Sequence, residues 1–244
     1  APATAALAQS GAQDEPYSAG DIIVTATRRA QALSDVPIAV SAISAQQLEA
    51  SGVNDIRALN QLAPSLLVSG ATSEANFTAR VRGIGTVGEN PGIESSVALF
   101  IDGVYRSRTG TGLTDLGEVE RIEVLRGPQG TLFGRNTPAG IVKIESIKPG
   151  FERDIRGSIS YGSYDTVSLN AALGGGLIDD VLAFRVSVQS QSRSDWIDNG
   201  FTGEDDALGG YTDFALRGQL LFTPGERTRI LAAVNFRDLD GSST

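Results

Sequence analysis

Leu182-Ala183-Phe184-Arg185-Val186-Ser187-Val188-Gln189-Ser190 alternates with a period of two. Leu182, Phe184, Val186 and Val188 fall on one face of an extended chain, and Arg185, Ser187 and Gln189 on the other, because successive side chains of a strand point to opposite sides. The same division recurs in Tyr211 to Phe222, where Phe214, Leu216, Leu220 and Phe222 oppose Asp213, Arg217 and Gln219. It recurs again where Ile230, Ala232, Val234 and Phe236 oppose Arg229, Asn235 and Arg237. With 154–162 and 166–174 added, the region after Pro149 reads as about five consecutive strands.

Alternating strands build soluble sandwiches and membrane barrels alike. Strands of about ten residues with arginine on the inner face and aliphatic side chains outward fit a barrel with a polar lumen better than a sandwich, whose inner face is apolar. The connections agree. If the first strand rises from the periplasm, 175–180 and Thr223-Pro224-Gly225-Glu226 become short periplasmic turns, and the longer 194–210 segment faces outside, which is the asymmetry of outer-membrane barrels.

Composition narrows the function classes. The chain has 244 residues, 41% hydrophobic and 20% charged, with a net charge of −9 and no cysteine, histidine or methionine. Thiolate and imidazole metal sites, Cys/His and Ser/His nucleophile pairs and a disulfide framework are thereby removed. No pair of acids stands at a spacing that suggests a general acid and base, so we assign no catalytic residue, no metal and no cofactor, and expect no enzyme. Basic residues are scattered among acids rather than clustered, the opposite of a nucleic-acid surface. No apolar run reaches the roughly 18 residues of a membrane-crossing helix, so contact with a membrane would be made by strands.

Ahead of the alternating region the pattern is mixed. Ala1 to Gln9 is alanine-rich, and Ala6-Leu7-Ala8 has the small-x-small form of a signal cleavage site, so the stretch reads as the tail of an export signal or as an alanine-rich terminus. Residues 9–20 are small and polar, a flexible lead-in. Asp21-Ile22-Ile23-Val24-Thr25-Ala26-Thr27 is β-branched with no partner nearby, and taken alone is a short strand. Val36 to Ile43 reads as a strand with Pro37 near its start. Ser44 caps a helix, with Gln47 in a capping-box position and Gly52 as its stop. A second helix over Asp55 to Leu62 ends before Pro64. Short strands follow at Phe77 to Arg82, Val97 to Ile101, Ile122 to Leu125 and Ile141 to Ile147, separated by glycine-rich loops.

The segment Leu113-Thr114-Asp115-Leu116-Gly117-Glu118-Val119-Glu120-Arg121-Ile122-Glu123-Val124-Leu125-Arg126-Gly127-Pro128-Gln129-Gly130-Thr131-Leu132-Phe133-Gly134 resembles the hallmark of TonB-dependent outer-membrane receptor plugs. Val81-Arg82-Gly83-Ile84-Gly85 resembles their Arg-Gly element, Phe100-Ile101-Asp102-Gly103-Val104-Tyr105 their Asp-Gly-Val-Tyr strand and turn, and Val36 to Leu66 their entry strand and two helices. The likeness covers roughly 21–240. It implies an α+β plug domain with a small mixed sheet, followed by the N-terminal antiparallel strands of a transmembrane β-barrel of the 22-stranded type, incomplete here. The implied division is 1–20 signal tail and leader, 21–34 TonB box and linker, 35–150 plug, and 151–244 the first strands of the barrel. Two departures stand out: Ala139-Gly140 where the family usually has Gly-Gly, which puts in doubt the close backbone approach a glycine at 139 would permit, and Lys143 where asparagine is common.

The resemblance also implies roles. Asp21, Ile22, Ile23, Val24, Thr25, Ala26 and Thr27 would form the TonB box, bound through strand addition by the TonB C-terminal domain; the alternative is a plain strand of the sheet. Arg126, with Glu120 and Glu123, would mark the plug–barrel contact. Arg126 pairs with wall glutamates in the family, or else within the plug with Glu120 or Glu123. Gly127, Gly130 and Gly134 are turn glycines rather than a phosphate loop, because no Lys-Ser/Thr follows. Arg82, Tyr105, Arg106 and Arg108, in or beside outward loops, would contact ligand, or else remain solvated or bridge to the barrel. The implied activity is import of a scarce nutrient: a ferric siderophore first, an oligosaccharide or cobalamin as the alternative. A soluble periplasmic plug-like binding module is the rival reading. The implied partners are TonB, the imported siderophore-like or glycan ligand, outer-membrane lipid and the remainder of the barrel. Family barrels close with about 22 strands, and an open sheet in lipid leaves edge groups unpaired at several kcal/mol each. We therefore expect either a sequence cut in a loop or a second polypeptide that completes the wall.

Overall fold

The computed structural model describes residues 22–51, 56–70, 77–86, 94–107 and 118–241. Strand β1 (Ile23–Val24) pairs antiparallel with β2 (Gln31–Ala32). Then come β3 (Val40–Ser44), helix α1 (Ala45–Ser51), β4 (Leu66–Gly70), β5 (Phe77–Val81), β6 (Val97–Ile101), β7 (Val104–Arg106), β8 (Val119–Arg126), the short helix α2 (Gly130–Phe133) and β9 (Gly140–Ser146). Five of these strands make a central mixed sheet in the order β3-β8-β9-β6-β7, with β6 and β9 parallel.

Both faces of this sheet are covered. On one face Val97, Leu99, Ile101, Ile122, Val124, Val142 and Ile144 bury against Leu59, Ala63 and the β4–β5 hairpin. The other face, with Ala98, Phe100, Leu125 and Ile141, buries against Val24, Ala26 and Val36 of the N-terminal segment. Every residue of β6 is consequently buried, as a strand between two layers requires.

Local signals explain most of these elements. The capping box at α1 forms as expected: the Ser44 N–H donates to Gln47 Oε1 at 2.9 Å, and the Gln47 N–H donates to Ser44 Oγ at 3.3 Å. Gly52 and Asp55 lie outside the described residues. The second helix is a 3-10 segment, Ile56–Gln61. The strand expected over 36–43 begins only at Val40, because Leu33–Asp35 turns as 3-10 helix and Val36 buries against the sheet face instead of pairing in it. Strand β4 has no period of its own to announce it; it exists because Leu66 to Gly70 finds β5, with Leu66 opposite Val81 and Gly70 opposite Phe77.

After Ser146 comes a second sheet of β10 (Asp154–Gly162), β11 (Thr166–Ile178), β12 (Leu182–Arg193), β15 (Tyr211–Gly225) and β16 (Thr228–Gly241), antiparallel in that order. A small hairpin, β13 (Ile197–Asn199) and β14 (Glu204–Leu208), occupies the long connection. The strands exceed their expected lengths, so the first short turn covers 179–181 rather than 175–180. Burial follows the alternation. Arg185, Ser187, Asp213 and Gln219 are buried, whereas Ile159, Leu220, Phe222, Val234 and Phe236 are exposed. That inversion of the soluble pattern suits a wall with lipid outside and a polar filling inside.

Side-chain charge joins the two sheets at one end. Arg185 makes a bidentate pair with Glu118 (Nε to Oε2 and Nη2 to Oε1, both 2.6 Å) and reaches Asp154 at 2.9 Å. Its register partner across the ladder is Gly174, where a Cβ would lie 3.2 Å from Arg185 Nη1. Asp102 sits in the tight Asp102–Gly103 turn between β6 and β7, both residues at positive φ (50° and 77°), the geometry of a type I′ hairpin. Its carboxylate accepts from Ser146 N at 2.9 Å, from Arg217 Nη2 at 2.8 Å and from Lys148, while Gln219 donates to Ser146 Oγ at 3.2 Å. Burial alone would raise the Asp102 pKa, but Lys148, the Ser146 N–H and Arg217 outweigh it and hold the carboxyl below the usual range.

Two outcomes follow from this packing. At Gly140, with φ of 154°, a Cβ would meet the Leu125 carbonyl oxygen at 2.4 Å and Val81 Cγ2 at 3.3 Å, so the close approach belongs to Gly140, and Ala139 is simply buried. Gly140→Ala is expected to cost about 1–3 kcal/mol, seen as faster proteolysis of the N-terminal portion in the intact protein; cleavage at the parental rate would refute the clash. For Asp102 the sign is that of a depressed carboxyl: its stabilisation is complete above the unfolded pKa of about 3.9 and fades as pH falls through the lower folded value. Asp102→Asn should therefore lose about 1–3 kcal/mol at neutral pH and change little on acidification, while the parent loses its advantage only in acid. Melting curves by circular dichroism between neutral pH and strong acid separate the two, and parallel pH profiles would refute it.

Candidate functional site

The N-terminal segment does not hang free. Ile22 is exposed, Ile23, Thr25 and Thr27 are half-buried, and Val24 and Ala26 are fully buried. Asp21 lies outside the described residues. Expected to lack a nearby partner, the segment folds back at Arg28, whose φ is 62° and whose N–H donates to Thr25 O at 3.0 Å. Ile23 then pairs with Ala32 and Val24 with Gln31. The Arg28 guanidinium stacks 5.1 Å from the Phe133 ring centroid, and Phe133 meets Phe100 edge-on at 5.3 Å.

Thr25 meets charge rather than a neighbouring strand. Its N–H donates to Glu123 Oε1 at 2.8 Å and its hydroxyl donates to the same oxygen at 3.1 Å. Its carbonyl accepts from Lys143 Nζ at 3.1 Å, and Lys143 also reaches the hydroxyl. Glu123 and Lys143 are directly opposite each other on β8 and β9 and form an ion pair at 3.3 Å, with side chains 0% and 6% exposed. Arg121 Nε donates to Glu123 Oε1 at 2.9 Å, and Glu145 stands 3.7 Å from Lys143. Burial alone would raise the Glu123 pKa; Lys143, the Thr25 N–H and Arg121 overcome it and hold the carboxyl ionised below its usual value.

This arrangement corrects several expectations. Glu123 is not a plug–barrel contact among the described residues: it points into the sheet face and is consumed by Thr25, Arg121 and Lys143. Glu120 pairs with Arg121 at 2.7 Å. Arg126 donates from Nε to the Ala39 carbonyl at 3.4 Å, with neither Glu120 nor Glu123 as its partner. After the irregularity at Val119, Arg121 and Glu123 share a face of β8 with Leu125, and Arg121 lies between the two glutamates in sequence and reaches both. The contacts between the two sheets use Glu118, Asp102 and Ser146 instead.

The described ligand candidates sit on different elements, Arg82 after β5 and Tyr105 and Arg106 on β7. Arg82 is exposed in a tight turn with φ of 55°, beside Val81, which abuts the start of β9 at Gly140. The Asp102–Gly103 turn sits at the other end of β9, against Ser146, and β7 returns from it with Tyr105 opposite Phe100 and Arg106 opposite Leu99. Tyr105 is half-buried, packs 5.6 Å from Phe100 and accepts from Asn136 Nδ2 at 2.9 Å. Its place in the covered layer, set by the return of β7 alongside β6, makes it a packing residue and corrects its reading as an outward tip. Arg106 is exposed at the end of β7, and Arg108 lies outside the described residues. Lys143 was visible in the sequence only as a departure from a pattern, and Glu118 only as one acid among several. Nothing in the spacing announced that the first would meet Thr25 or the second Arg185.

Comparisons with known proteins agree with this architecture. Residues 32–141 match the family described as TonB-dependent Receptor Plug Domain. The pesticin receptor of Yersinia pestis is 31% identical over 210 residues, covering 84% of this chain and 29% of that protein. The iron-regulated outer membrane virulence protein of Vibrio cholerae is 24% identical over 257 residues, covering 95% of this chain and 36% of that protein. Among solved structures, the ferric yersiniabactin uptake receptor FyuA from Yersinia pestis superposes with a TM-score of 0.77 at 26% identity, over 84% of this chain and 32% of that one. The pyoverdine outer membrane receptor FpvA of Pseudomonas aeruginosa shares the fold, with a TM-score of 0.74 at 19% identity over 89% of this chain and 30% of that one. The chain thus spans about a third of the length of the relatives it matches. It belongs to the TonB-dependent receptors of the bacterial outer membrane, with their plug domain over 32–141 followed by antiparallel strands like those that begin their barrel.

Proposed function

We propose that this chain is the front part of a receptor that imports a ferric siderophore, with 21–27 as the segment on which the TonB C-terminal domain pulls. The observation that carries this reading is the docked N-terminal segment. An extended, β-branched stretch covers one face of the plug sheet through two buried side chains, Val24 and Ala26, and two main-chain hydrogen bonds at Thr25. Its extended backbone is one that a partner can add to its own sheet edge, a mode in which main-chain bonds give affinity. The siderophore reading is supported by relatives named for ferric yersiniabactin uptake and catecholate siderophores. Arg82, Arg106 and Arg108 remain the candidates for ligand contact, since guanidinium groups suit anionic oxygen ligands.

Deletion of 21–27 in the full-length receptor should abolish uptake of iron-labelled siderophore while leaving its binding at the cell surface intact. Uptake that persists in a strain without other siderophore receptors would defeat the assignment. Loss of both binding and uptake would point to misassembly, which heat-modifiable migration on gels detects. Growth on a glycan or cobalamin that depends on the receptor, with no siderophore-dependent growth, would favour the alternative cargo.

A further inference from the structure

We propose that Glu123 and Lys143 are positioning residues that latch Thr25 into the plug and set how readily the 22–27 segment leaves it; the link to energy transduction rests on the function proposed above. A strand held in a sheet offers its N–H and C=O to a neighbour's backbone. At Thr25 the N–H is taken by the Glu123 side chain instead, and the C=O is shared between the Lys143 side chain and the Arg28 N–H of the segment's own turn. The charge pair stands in for an adjoining strand, and it does so at the one residue of the segment that lies between the two buried anchors, Val24 and Ala26.

Two consequences make this more than packing. Strand addition by a partner needs the same N–H and C=O groups, so capture of Thr25 by a transducer and capture by the latch exclude each other. Withdrawal of the segment also uncovers the charged half of the sheet face, because Arg121, Glu123, Lys143 and Glu145 share it, with Arg121 opposite Glu145 and Glu123 opposite Lys143. The apolar half, Ala98, Phe100, Leu125 and Ile141, loses Val24 and Ala26 from its cover at the same time, while Val36 stays. Leaving is therefore opposed by apolar exposure on one half. On the other half it is helped by rehydration of ions whose burial was costly. The balance makes the segment releasable rather than permanent. Lys143 is central to that balance, since it alone ties the Thr25 carbonyl to Glu123.

The test uses the receptor in isolated outer membranes. This chain contains no cysteine, so Ala26→Cys introduces a thiol at a position 0% exposed while the segment is docked, and its maleimide labelling rate reports release. In that background Lys143→Asn leaves Glu123 paired with Arg121, and Glu123→Gln leaves Lys143 beside Glu145, so neither strands a lone buried charge. Each should raise the labelling rate tenfold or more. Thr25→Val, which keeps the main-chain bonds and shape but loses the hydroxyl, should raise it two- to threefold. Glu145→Gln, which removes the carboxylate that does not touch Thr25, should leave it unchanged. Purified TonB C-terminal domain should capture the Lys143→Asn receptor at a tenfold lower concentration. Parental labelling rates in both latch variants, or acceleration by Glu145→Gln as large as theirs, would overturn the latch. Faster labelling without tighter capture would uphold the latch and overturn the reading of 22–27 as the transducer's strand.

Discussion

Arg185 is 4% exposed on the inward face of a wall strand, and a guanidinium so enclosed must be paired. Its partner is Glu118, one residue before strand β8 of the plug. A wall whose outer face is apolar carries its polar side chains inward, and those side chains need hydrogen-bonding partners that lipid cannot supply. The plug provides them: Glu118 for Arg185, Asp102 for Arg217, Ser146 for Gln219. The two sheets are in this sense one structure. Asp154 of the wall shares Arg185 with Glu118, and Lys148 shares Asp102 with Arg217, so each charge cluster spans the junction.

The same logic governs the opposite side of the plug. Its central sheet is apolar on one face and half apolar, half charged on the other, and Val24 and Ala26 of a short extended segment join Val36 in covering that second face. A helix in that position would bury more area and bind more permanently. A segment anchored by a valine, an alanine and one polar clamp covers the sheet with less, and the charged half of the face beneath it is a place where departure costs less than it would over a wholly apolar surface. Attachment and release are therefore balanced within the same few residues.

That balance relates the fold to the family. The relatives this chain matches are named as receptors or as an outer membrane protein, and likeness to them holds across both the plug and the first wall strands. What varies within a shared fold is the chemistry placed on it. Here that includes Lys143 inside a strand, buried against a carboxylate.

The alternation of Leu182, Phe184, Val186 and Val188 with Arg185, Ser187 and Gln189 was legible because a strand's two faces follow from a two-residue period, whatever the strand packs on. The capping box at Ser44 and Gln47 was legible because its hydrogen bonds close within one turn. Strand β4, the late start of β3 and the partners of Glu123, Arg126 and Tyr105 were not, because each depends on residues distant in the chain: β4 on β5, Val36 on a sheet face, Tyr105 on the return of β7 beside β6. By itself the sequence determined a wall that is apolar outside and a plug with a hallmark turn. Only the tertiary structure decided that Glu118 and Asp102 hold the wall and that Glu123 and Lys143 clamp Thr25, 98 and 118 residues away in sequence. A side chain's period is local, but the partner of a charge is whichever group the folded chain brings within reach.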